Sequence, residues 1–350
     1  MSPRRDVSGG LMGGVTRHIP DRFRAVVGSP WLRVAGTVAA VAVLARSVDI
    51  PKAAASLGHA DPRWMAAALG LTCVAVVASV LEWGVLIRTV SAPAQASLFT
   101  WRRLSSSYLQ SLFFTQVIPA GVGGDAVRTV EMGKHVGHSR VLASLAGSRM
   151  AGMLGMAAWG LAGAVLLRAL IGNGILAALA VLVGVIIMVW TGALSADRLV
   201  PVRFLTRLSA AMGHAVRAFT ESFAAYRRHP HAVAQCLLVG GAGWGVNLFA
   251  LVLAARAIGA DVSWPVLAVC IPLGLLAALV PFSVNGLGVR EGVLVAFLVH
   301  MGVSSTHAGA LSLIVDLQML PFAVLGCVLW MRRRRAPAPA PASITVPARA

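Results

Sequence analysis

Two ten-residue stretches carry chemistry that a segment merely spanning a membrane does not need. Pro119 to Arg128 reads PAGVGGDAVR and Pro281 to Arg290 reads PFSVNGLGVR. Laid over one another without a gap, they agree at Pro119/Pro281, Val122/Val284, Gly124/Gly286, Val127/Val289 and Arg128/Arg290. In each, proline and glycine (Gly121, Gly123 and Gly124 in the first copy, Gly286 and Gly288 in the second) break one helix, and a new helix starts with an arginine in its first turn. A helix start offers unpaired N–H groups and the positive end of a dipole, and with a guanidinium beside it the combination suits an anion, phosphate above all. The first copy adds Asp125, and the second offers Ser283 and Asn285 instead.

Two readings of these residues stand side by side. Asp125 either caps the new helix or belongs to a site, and Arg128, three residues on, shares a helical face with Asp125 and Glu131. Arg128 and Arg290 either hold an anionic headgroup or close internal salt bridges. Glu82, Asp125, Arg128, Glu131, Arg149, Arg290, Glu291 and Asp316 all fall within or beside apolar segments. A charge at the bilayer centre costs roughly 2.5–3.5 kcal/mol on the lenient insertion scale, so these groups must pair or face water.

The chain around them is 58% hydrophobic and 12% charged, with a mean hydropathy of +0.80; a soluble domain carries roughly 25% charged residues. Met150–Leu167, Ala169–Ala196, Ala232–Ala255 and Val262–Val289 contain no charged residue, and each reaches the ~18 apolar residues of a membrane span. This predicts an all-α, polytopic membrane protein with about eight transmembrane helices and two re-entrant helical hairpins in an inverted repeat, as transporters build a midplane site. The net charge of +18 sits in loops and tails, where it sets topology and meets anionic lipid. No nucleic-acid partner is expected.

Five stretches follow: a basic tail (1–30), a first membrane half (31–195), a cytoplasmic amphipathic linker helix (196–231), a second membrane half (232–331), and a basic, then Pro/Ala-rich disordered tail (332–350). Inside the halves, Leu32–Val48, Trp64–Ile87, Val141–Leu167, Ile171–Leu194, Ala232–Ala255 and Ala308–Met331 are expected to cross. Leu104 to Ile118 is too short to cross and forms the first limb of a hairpin. Cation placement puts both termini in the cytoplasm. No apolar run with a cleavage site opens the chain, so no removable signal peptide is expected. Cys73, Cys236, Cys270 and Cys327 have no metal-ligand spacing and read as small buried hydrophobes. Neither a Ser/His/Asp set, an HExxH motif nor a P-loop is present, so no catalytic residue, cofactor or metal is expected.

At these residues the sequence resembles the membrane family named for the transmembrane region of lysylphosphatidylglycerol synthase, also described as flippase-like. The family's first pattern looks like Pro119, Gly121, Gly123, Gly124, Asp125 and Arg128. The more specific second pattern, Ser-x-x-Gly-x-Gly-x-Arg-Glu, looks like Ser283, Gly286, Gly288, Arg290 and Glu291. The family's Asp-Arg pair on the following helix stands here as Ser148-Arg149, so Arg149 alone is carried over as a site residue, and Asp316 stands where relatives tend to have an arginine. The likeness spans about residues 32 to 331. It implies flipping of a lipid with a charged or glycosylated headgroup (an anionic phospholipid, an aminoacylated lipid or a polyprenyl or glycolipid) across the bacterial inner membrane. Alternatives are a non-transporting subunit that presents a lipid-linked substrate to a glycosyltransferase or lipid-synthesis partner, and an enzyme acting on a polyprenyl phosphate. The synthase carries a soluble aminoacyl-transfer domain, whereas about 19 residues follow the last span here, so this chain is not expected to make lysyl-lipid.

Overall fold

The computed structural model describes residues 50–92, 95, 98–117, 123–199, 210–278 and 288–335. Among them every regular element is a helix: α1 (Ile50–Gly58), α2 (Pro62–Thr89), α3 (Trp101–Val117), α4 (Gly123–Val136), α5 (His138–Leu166), α6 (Asn173–Leu194), α7 (Ala196–Leu199), α8 (Ala210–Arg228), α9 (Pro230–Ala257), α10 (Trp264–Ala278), α11 (Val289–His300), α12 (Ser305–Leu317) and α13 (Leu320–Arg335). Helix α2, α5, α6, α9 and the α12–α13 stretch are long and apolar enough to cross a bilayer. The chain is therefore a multi-pass membrane protein. The expected span Leu32–Val48 and the tails 1–30 and 336–350 lie outside the described residues.

Local sequence explains where the long helices begin. Asp61 precedes α2 and accepts the Arg63 N–H at 2.8 Å, with Pro62 at the first helical position, where its missing N–H costs nothing. Pro230 opens α9 in the same way. Ser304 caps α12 through the His307 N–H. The expected turn at Gly172-Asn173-Gly174 falls slightly earlier, because Asn173 is already helical. Ala308–Met331, read as one span, lies within the single apolar stretch Ser305–Arg333, which turns at Gln318–Met319. Pro321 follows that turn and has no N–H to give the Leu317 carbonyl four residues back. Cys236 and Cys270 are buried as expected, whereas Cys73 is exposed on α2.

Helix contacts before α7 have counterparts among those after it. Helix α2 runs antiparallel to α9: the Asp61 N–H donates to Ala257 O at 2.8 Å at one end, while Glu82 meets Cys236 and Gly240 toward the other. Around this central pair, α5 packs on α10 as α13 packs on α3, α4 on α5 as α11 on α12, and α8 on α5 as α1 on α12. Close approach depends on missing side chains, as in membrane packing generally. Gly155 of α5 faces the backbone of Gly241 in α9, Gly160 faces Pro272, and Gly326 of α13 sits against the Leu109 carbonyl of α3.

Each half contains a pair of short antiparallel helices. In α3 and α4, Arg103 bonds His135, the Ser107 hydroxyl donates to Glu131 Oε2 at 3.2 Å, and Gly124 faces Ser111. In α10 and α11, the Cys270 thiol meets Leu294 O at 3.6 Å and Gly274 faces Arg290. With 17 and 14 residues, α3 and α4 are about 25 and 21 Å long at 1.5 Å per residue, short of the ~30 Å hydrocarbon core. The residues joining each pair, 118–122 and 279–287, lie outside the described set.

The linker 196–231 is described at α7 and α8. Phe223 and Tyr226 of α8 are buried against α5 and α2, with the Tyr226 hydroxyl donating to Leu86 O at 3.3 Å. Arg227 holds both Asp197 oxygens at 2.8 Å, which lowers the Asp197 carboxyl below its ordinary range through that hydrogen bond. The antiparallel α2–α9 pair makes a topology prediction. Single cysteines at His59 and Gly259, at neighbouring ends of the pair, should label from the same side of the membrane, and one at His229, before α9, from the opposite side. Labelling of all three from one side would sink the antiparallel arrangement.

Candidate functional site

Part of the charge that falls among the apolar segments converges on one cavity of about 480 Å³, lined by α2, α3, α4, α5 and α9 with Leu275 and Met319 also on its wall. Its charged lining residues among those described are Glu82, Arg128 and Arg149. Three helices set the position of Arg128. It stands in α4, one turn past Asp125, and its Nη2 donates to Asp125 Oδ1 at 2.9 Å. Its guanidinium carbon lies 5.1 Å from the ring centres of both Trp83 of α2 and Tyr108 of α3. A desolvated contact of this kind contributes about 2 kcal/mol. Nε is buried with no hydrogen-bond partner among the described residues, an arrangement that costs stability.

Asp125 is shared. Its second oxygen accepts from Arg149 Nε at 2.6 Å, so both carboxylate oxygens are engaged by guanidiniums. Gly123 and Gly124 are buried in the first turn of α4, and a methyl at Gly124 would overlap the Ser111 carbonyl oxygen and Thr115 Oγ1 of α3. Gly124 therefore permits α4 to approach α3.

Consecutive residues of α2 are held by consecutive turns of α5. The Trp83 indole N–H donates to Ser144 Oγ at 3.2 Å, and the Ser148 hydroxyl donates to Glu82 Oε1 at 3.0 Å. Glu82 is 5% exposed, and Gly240 of α9 leaves it room, since a Cβ there would stand 2.9 Å from Oε2. Its other neighbour is the Cys236 thiol at 3.9 Å. Asn247 Oδ1, also on the cavity wall, is buried and has no partner among the described residues.

The described residues of the second motif, Gly288 to Arg290, make a different cluster with Glu291 and are not among this cavity's lining. Arg290 pairs with Asp316 of α12 and with Glu291 Oε1 at 3.0 Å. Glu291 Oε2 accepts the Gly288 N–H at 2.6 Å, and Gly288 itself holds a φ of +81°, a conformation glycine adopts without penalty. Arg149 and Asp316 occupy the same place in their helices, eleven residues after His138 and Ser305. The first half thus sets two guanidiniums on one carboxylate, and the second sets two carboxylates on one guanidinium. Gly121, Ser283, Asn285 and Gly286 lie outside the described residues.

Sequence reasoning missed Trp83, Tyr108, Ser144 and Asn247, and counted Glu82 and Ser148 only as a misplaced charge and a departure from a pattern. The one usable signal was Glu82 itself, a carboxylate in an otherwise uncharged stretch of α2.

A family model described as Lysylphosphatidylglycerol synthase TM region matches residues 31–326. No curated protein and no solved structure gives a match.

Proposed function

Because this chain belongs to the lysylphosphatidylglycerol synthase TM-region family, a membrane family linked to lipid modification or flipping, we propose that it translocates a lipid with a charged or glycosylated headgroup across the bacterial inner membrane. The observation that carries this reading is the cavity holding Arg128 and Arg149 amid helices of membrane-spanning length. The headgroup enters there and its phosphate is held by the two guanidiniums, while the acyl or prenyl tails stay in the bilayer. Two short hairpins, α3–α4 and α10–α11, enter from opposite faces and end near the midplane. Rocking of one half against the other along the α2–α9 seam then opens the cavity to the opposite leaflet. Both termini lie in the cytoplasm. The protein acts as a transporter rather than an enzyme, with a lipid-synthesis enzyme or glycosyltransferase as the partner that supplies or consumes the lipid.

Native mass spectrometry of the detergent-purified chain tests the site. Phosphate-bearing lipids are expected to remain bound well above their share of the membrane, and Arg149→Ala is expected to reduce that retention about tenfold, the loss of one charged hydrogen bond. Retained lipid that simply mirrors membrane composition in both proteins would reject a headgroup site here.

A further inference from the structure

We infer that Glu82 is a proton site and that an anionic headgroup and a proton cross together, an inference that rests on the transport reading above. Two carboxylates are buried among the described residues, Glu82 and Glu291. Glu291 has Arg290 and the Gly288 N–H. Among the described residues Glu82 has no ion pair within salt-bridge distance; its partners are a hydroxyl and a thiol. The groups facing it are Arg128 from α4, Tyr108 from α3, Ser148 and Arg149 from α5 and Cys236 from α9, with Tyr226 of α8 near Cys236. No second ionisable residue of α2 lines the cavity.

Charge balance supplies the coupling. Among the described residues Glu82 and Asp125 stand against Arg128 and Arg149, so these four charges cancel before a headgroup enters. Entry of a phosphate monoanion makes the sum negative by one, and net charge inside a membrane is costly. One proton taken from cavity water onto a Glu82 oxygen restores neutrality and removes the carboxylate that would repel the phosphate. The loaded cavity then crosses as a neutral unit, and the proton leaves to water with the headgroup. Position supports the same role, because Glu82 belongs to the first half and its Cys236 and Gly240 neighbours to the second. It sits on the seam that rocking must shear.

The test uses the full chain in phosphatidylcholine liposomes with a trace of phosphatidylglycerol fluorescent on one acyl chain, with the membrane potential clamped at zero. An imposed pH difference should enrich the label in the leaflet facing the alkaline side, approaching roughly tenfold per pH unit for one proton per headgroup charge. Protein orientation does not matter, because an equilibrium ratio depends only on the two compartments. Glu82→Gln should leave the leaflets equal, and Glu82→Asp should keep the enrichment. Label that moves but stays evenly distributed under the gradient overturns the proton coupling and leaves lipid transport standing. Label that does not move at all overturns both. A second measurement needs no transport: the pH-difference infrared spectrum of the purified protein should lose one carboxyl C=O band in Glu82→Gln and show it shifted in Glu82→Asp. An unchanged band in Glu82→Gln overturns the assignment.

Discussion

Replacing Arg128 with alanine is expected to lower lipid movement in a reconstituted headgroup-accessibility assay by roughly 100-fold, the equivalent of about 3 kcal/mol of charge-assisted hydrogen bonding. The substitution removes the cation between Trp83 and Tyr108 and the buried donor without a partner, and it leaves Asp125 to Arg149 alone. Arg128→Lys separates charge from shape. It restores the positive charge, but an ammonium has neither a flat face for two rings nor a forked set of donors, so an intermediate loss of about tenfold is expected. Breaking a buried ion pair also destabilises the fold, by about 3–5 kcal/mol where the remaining charge is stranded. Here Arg149 still pairs with Asp125, so monodisperse protein is expected on size exclusion. Arg290→Ala is the contrast. That residue packs against Gly274 of α10 and ties α11 to α12 through Asp316, and its loss should appear first as a lower melting temperature. Full transport by Arg128→Ala in folded protein would remove the site from α4.

The sequence disclosed what depends on local chemistry. Uncharged runs announced the long helices, and Pro-Gly breaks marked the ends of the short antiparallel pairs, because both signals are complete within a few turns of chain. Pairing across the fold was not disclosed. Nothing in the spacing of Glu82 and Trp83 says that Ser148 and Ser144, more than sixty residues on, will hold them. The mirror relation of Arg149 and Asp316 was hidden for a simpler reason: the motif arginines Arg128 and Arg290 lie 162 positions apart and this pair 167, so an ungapped overlay of the motifs steps past it. That relation also explains why matched arginines acquire different surroundings. One is given an acid shared with a second cation, and the other is given two acids. Ser148 has a place in the same logic, since a carboxylate there would face Glu82 and repel it, whereas a hydroxyl donates to it.

The other large effect is expected at Gly124, where one added methyl should disable the protein. In an exposed helix interior, Gly→Ala gains up to about 1 kcal/mol from propensity. At Gly124 that gain meets the Ser111 carbonyl oxygen and Thr115 Oγ1 of α3. A hydroxyl can rotate away, but a backbone carbonyl inside a helix cannot, so α4 must move off α3. Overpacking of this kind costs about 1–3 kcal/mol, which outweighs the propensity term. The shift also carries Asp125, beside Gly124, and Arg128, on the next turn of α4, away from Trp83, Tyr108 and Arg149, which belong to three other helices. Gly124→Ala is therefore expected to lower thermal stability and to cut lipid movement at least about tenfold, with Gly124→Val worse on both measures. Gly184→Ala, on α6 with open space around it, should change neither. Thr115→Ala combined with Gly124→Ala identifies the wall: if the carbonyl is the obstacle, removing the threonine hydroxyl rescues nothing. Recovery of activity in the double variant would instead show that α3 and α4 are held apart only by a side chain, and that the hairpin does not need glycine to bring Arg128 into the cavity.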